Sequence, residues 1–242
     1  MRRTSIGLYC FSPPVMLATF LIEISFAAYV LWRYKMTTIT KLVVSILTFL
    51  AVFQGTEYLL CGGLGVNGGT WSRVGYSAIT LLPPLGLHLI HAVAGKRSKY
   101  LVPAAYLTAG AFIAYFTFGV QAISGYTCYA NYAVFDTATS GSSLFFGLYY
   151  YGWLLAGLGV ALKFANNAPK IKPALYALMF GYLGFILPTA TVNLIDPETL
   201  SAIQSIMCGF AVILAFVLVG KVAPESIAMK HPEKSLRIKL PF

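Results

Sequence analysis

Charge is what this chain has least of. Only 10% of its 242 residues are charged, while 58% are hydrophobic. A soluble domain carries roughly 25% charged residues. So few charges cannot shield that much apolar surface from water, and a lipid bilayer is the expected solvent. Histidine is nearly missing as well, with three in the whole chain. His88 and His91 stand three apart in one apolar segment, and His231 lies near the end. No Cys-x-x-Cys occurs. A zinc or haem site needs more ligands than this, so His88 and His91 are expected to be structural. Seven-helix zinc hydrolases are disfavoured for the same reason. No lysine sits midway along the last apolar segment, because Lys221 is at its end. That argues against a retinal Schiff base. No glycine-rich phosphate loop follows a strand, and no strand is readable at all. A cleavable signal peptide is also missing: Arg2 and Arg3 resemble a basic leader, but the apolar segment after them has full spanning length. The chain is therefore expected to be non-enzymatic, with no catalytic or metal residues and no cofactor.

What the chain does have is seven apolar stretches, each about 20 residues long and so able to cross a bilayer core. They run approximately over 13–32, 42–62, 72–94, 100–121, 143–163, 172–194 and 200–220. A basic tail at 221–242 follows. The fold class read from this is an all-α, polytopic, seven-transmembrane helix bundle in one domain. Alternate connections carry nearly all the positive charge. One side holds Arg33, Lys35 and Lys41, then Lys96, Arg97 and Lys99, then Lys163, Lys170 and Lys172. The tail adds five more basic residues to that side. Arg2, Arg3 and Arg73 are left for the other. By the positive-inside rule the N-terminus lies outside and the C-terminus in the cytoplasm. A bacterial cytoplasmic (inner) membrane is the expected location. The net charge of +10 does not point to nucleic acid, since its charges cluster at helix ends where they meet lipid headgroups.

Polar residues in the apolar segments are the candidate site. Gln54 and Glu57 lie in the outer half of the second segment. Arg73, Ser77 and Thr80 are four and three apart in the third, hence on one face. Thr189 and Asn193 share a face in the sixth, and Gln204 opens the seventh beside Ser205. These groups suggest a ligand-binding cavity open to the outside. The competing reading is local hydrogen bonding that only ties the bundle together. Glu57 and Arg73 are placed to meet as an ion pair across the Gly-rich turn between their helices. Glu23 stands at the centre of the first segment, where an acid costs roughly 2.5–3.5 kcal/mol on insertion scales. A proton site, a ligand contact or a neutral structural acid would each explain it. Cys61 and Cys128 are the pair best placed for a disulfide among the outer cysteines, with free thiols as the alternative. Pro83 and Pro84 fall inside the third segment and Pro188 inside the sixth. A bend is expected just before Pro83, because neither proline has an N–H to give the preceding turn.

Trp71-Ser-Arg-Val-Gly-Tyr-Ser-Ala-Ile-Thr-Leu-Leu-Pro-Pro-Leu-Gly-Leu-His-Leu-Ile-His, closing on Gly95-Lys, resembles helix three of the seven-transmembrane sensor domain of bacterial histidine kinases. Phe180-Gly-Tyr-Leu-Gly-Phe-Ile-Leu-Pro-Thr-Ala-Thr-Val-Asn-Leu is similar to its sixth helix. The likeness covers about 13–220 and implies a seven-helix sensing domain. No kinase follows the seventh segment, so a sensing role implies a separate partner chain, in the membrane or at the cytoplasmic face. The leading expectation is a receptor-like membrane protein that binds a small ligand, lipid or partner from outside. The alternatives are an accessory subunit of a larger membrane complex, and a small transporter or channel using Glu23.

Overall fold

A computed structural model describes residues 12–62, 67–119, 122–129, 133–137, 140–167, 169, 171–196, 199 and 202–227. Arg2, Arg3, Cys10, Gln121, Lys170, Glu198 and the tail from 228, with His231, lie outside the described residues.

Seven helical spans are long and apolar enough to cross a membrane. The first is α1 (Pro13–Arg33) and the second α2 (Thr38–Cys61). The third is built from α3 (Gly68–Thr80) and α4 (Leu82–Val93). The fourth is α5 (Leu101–Phe118), the fifth α6 (Ser140–Asn167) and the sixth α7 (Lys172–Ile195). The seventh joins α8 (Ile203–Phe210), α9 (Val212–Val217), a π-turn (Leu218–Val222) and α10 (Ala223–Ser226). It therefore runs past 220, into the stretch expected to be tail.

The third span is the axis of the bundle: 72% of its apolar window is buried, against 17% for the fourth. A helix covered all round is the one the others pack against. Tyr76 of α3 meets the rings of Phe116 on α5 and Phe146 on α6 at 4.7 and 5.6 Å. Gly86 lets the sixth span come in close, since a Cβ there would overlap the Tyr182 hydroxyl.

The third span breaks at Leu81, as the paired prolines require. Leu81 N–H turns back to the Ala78 carbonyl at 3.2 Å, and α4 restarts with Pro83 and Pro84 in its first turn. Pro84 leaves the Thr80 carbonyl without its helical donor. The Tyr149 hydroxyl of α6 donates to it instead, at 2.6 Å. Thr80's own hydroxyl bonds the Tyr76 carbonyl.

Two features correct the sequence reading. No strand is readable in the sequence, yet the stretch after the fourth span contains an antiparallel hairpin, β1 (Ile123–Cys128) with β2 (Ala133–Thr137), Tyr126 facing Phe135. Ile, Tyr, Thr, Val and Phe suit a strand, but these runs are too short to show alternation. The seventh span, expected to be one helix, is interrupted at Ala211 and widens into the π-turn just before Pro224. Pro224 cannot donate to the Gly220 carbonyl, and a wider turn accommodates that gap.

Candidate functional site

The site is assembled from three helices and the hairpin. On α1 the buried residues Met16, Thr19, Glu23, Ala27 and Val30 recur every three or four positions. Glu23 therefore lies on the stripe that faces the bundle, and it is fully buried. On α2, Gln54 and Glu57 are one turn apart and 2% and 1% exposed. α2 packs against both α1 and α8, and Ser205 of α8 is buried as well. Three residues on lies the buried Cys208 thiol.

The hairpin closes this cluster. Ala133 N–H of β2 donates to Ser205 Oγ at 3.2 Å. This bond ties the β2 backbone to α8. Ala133, Val134 and Phe135 are all buried, so both faces of β2 are covered. Phe135 packs on Phe53 and Tyr76, and Val134 on Ala202 and Ile206. The Cys61–Cys128 disulfide, Cα atoms 5.6 Å apart, ties β1 to the end of α2.

Polar satisfaction is incomplete in the cluster. Both oxygens of Glu23, Oε1 of Glu57, Nε2 of Gln54 and Oγ of Ser72 are buried without a hydrogen-bond partner. A buried carboxyl in that state is stable only when its charge is neutralised. A bound proton or small cation provides that neutralisation. Beside Cys208 lies a small cavity of about 20 Å³, lined by Leu82, Tyr150, Tyr182, Met207, Cys208 and Ala211 among others. That is room for one water. It sits where the breaks of the third and seventh spans face each other.

The expected cavity residues do not all converge. Gln54 and Glu57 join Glu23, but beneath the hairpin. Arg73 does not reach Glu57. Its guanidinium donates to the carbonyls of Thr117 and Gly119 at 2.5 and 3.2 Å, at the end of α5. Those carbonyls have no helical donors left, and a cation is favoured at a helix C-terminus. The expected Glu57–Arg73 ion pair is thereby replaced by a helix cap. Thr189 bonds the Phe185 carbonyl of its own helix at 2.7 Å, and Asn193 Oδ1 accepts from Thr199 at 2.8 Å. Ser77 and Gln204 are half-buried. Ser205, expected beside Gln204, is buried, whereas Ser72 and Tyr149 are absent from the sequence reading. Ser72 adjoins Arg73 on α3, so its polarity was the available signal. His91 Nδ1 bonds the Leu87 carbonyl, and His88 pairs with the Tyr106 hydroxyl. Among the described residues no three His, Cys, Asp or Glu side chains gather as a metal site. No known protein family, curated protein or solved structure matches this chain.

Proposed function

We propose that this is a receptor-like, non-enzymatic integral membrane protein whose hairpin-covered carboxyl pair, Glu23 and Glu57, takes up a proton or a small cation from the outer side. The observation that carries this reading is the burial of both carboxyls with oxygens that have no hydrogen-bond partner. The Ala133 bond to Ser205 ties the hairpin to the seventh span, whose α8 packs on α2. Ser205 stands on the short α8, just ahead of the break at Ala211. Breaks and π-turns are places where a helix can rearrange at low cost. The lopsided basic residues support an outer hairpin and a cytoplasmic C-terminus in a bacterial inner membrane. A separate protein partner on the cytoplasmic face would receive the signal.

The test is hydrogen–deuterium exchange of residues 123–137 on the full chain in lipid nanodiscs. Sodium, potassium and protons are titrated in turn. Exchange in the hairpin should respond to one of them, and the response should vanish in Glu23→Gln and Glu57→Gln. A hairpin indifferent to all three would sink the proposal. A second reading, transport through Glu23, draws support from the cavity between two broken spans. Cation or proton flux in proteoliposomes, abolished by Glu23→Gln, would favour it over sensing.

A further inference from the structure

At the opposite end of the bundle from the hairpin lies an open groove of about 620 Å³. It is bounded by the start of α2, the end of α4 and the connection leading into α5. Its polar lining includes Thr38, His88, His91, Lys96, Arg97 and Ser98. Among the described residues no acidic side chain lines it.

The backbone around the groove is arranged to keep negative partial charge out of it. The last turn of α4 ends in a left-handed glycine, Gly95 at φ 63°. Lys96 N–H bonds the His91 carbonyl at 2.9 Å and Gly95 N–H the Ala92 carbonyl at 3.1 Å. This paired pattern occupies carbonyls that would otherwise repel an anion. It also fixes where Lys96 and Arg97 leave the helix. On the other wall, Thr37 caps α2 through a reciprocal pair with Thr40. That pair uses the third amide of the helix. The amides of Thr38 and Ile39, at the first two positions, have no intrahelical acceptor to bond. Helix N-termini of this kind hold phosphate groups. His91 is 5% exposed yet lines the groove. Its Nδ1 donates to the Leu87 carbonyl, so Nε2 can donate to a ligand only when the ring carries a second proton.

We infer that this groove is a binding site for a phosphate group, held by Lys96 and Arg97 and the first amides of α2, with the imidazole of His91 beside it. The inference is independent of the carboxyl pair and of the function proposed for it. Two sources share the chemistry: the headgroup of an anionic phospholipid and free phosphate.

The experiment measures protection of His88 and His91 from diethyl pyrocarbonate, followed by mass spectrometry of the full chain in nanodiscs. One arm uses phosphatidylcholine discs with inorganic phosphate added at constant ionic strength. The other uses discs doped with phosphatidylglycerol and no free phosphate. Protection in the second arm alone assigns the site to lipid, and protection in the first assigns it to free phosphate. In Lys96→Gln/Arg97→Gln, whose thermal midpoint is checked against the parent, the protecting concentration should rise by about tenfold or more. Protection that chloride reproduces at equal ionic strength, that the double variant retains in full, or that neither arm shows, overturns the inference.

Discussion

Tyr149 and Gly86 show how single atoms hold this bundle. Tyr149 gives its hydroxyl to the one carbonyl that Pro84 deprives of a donor. Tyr149→Phe keeps the ring packing and removes only that bond. The buried Thr80 carbonyl is then unsatisfied, which costs about 1–3 kcal/mol. A lowered thermal midpoint in detergent or nanodiscs checks this, and an unchanged midpoint contradicts it. Gly86 works by having no side chain, because the Tyr182 hydroxyl occupies the space a Cβ would take. Gly86→Ala should destabilise by about 1–3 kcal/mol through overpacking. Adding Tyr182→Phe should restore part of the loss, since it removes the colliding oxygen. A double variant no better than the single one would mean that the backbone contact itself, rather than the hydroxyl, sets the spacing.

Among elements, the hairpin is the one whose position depends most on a covalent tie. The bond between Cys61 and Cys128 closes a separation of 67 residues. Loop-closure entropy over that length corresponds to about 4 kcal/mol. Cys61→Ser should therefore lower the thermal midpoint and raise amide exchange in β1 and β2 well above that in α1. Parent-like exchange in the hairpin would show that burial of Val134 and Phe135 alone holds it down. The break of the third span was legible, because a proline pair dictates its own consequence within four residues. The break of the seventh at Ala211 was not. No proline or glycine stands at that position, and the interruption answers to packing against other helices.

For the whole molecule, the charge asymmetry predicts orientation, and labelling tests it. Arg97→Cys and Asn166→Cys, in a background that keeps only the Cys61–Cys128 bond, should resist impermeant thiol reagents in intact cells. Tyr129→Cys, beside the hairpin, should label readily. The reverse pattern would invert the topology and place the carboxyl pair nearer the cytoplasm. Among the described spans the third is central and the fourth peripheral. Leu107 and Phe118 on the fourth are 76% and 80% exposed. In a bilayer those side chains face lipid, as the apolar composition requires.

The seven apolar spans, the sign of their connections and the site of the proline break were legible in the sequence. Each follows from composition over one segment, or from a proline's missing donor, and neither depends on distant parts of the chain. The candidate site was only partly legible. Glu23, Gln54 and Glu57 stood out because polar groups in apolar helices are costly. Their meeting could not be read, because helical periodicity gives a residue's face but not which neighbour that face meets. Arg73 shows the limit most clearly: a charge near Glu57 in sequence found unpaired carbonyls at the end of α5 instead. That partner, the seat of the hairpin against α2 and α3, and its bond to Ser205 were set by the folded arrangement. All three rest on contacts between segments far apart in the chain, where packing and the need to satisfy buried polar groups overrule local pattern.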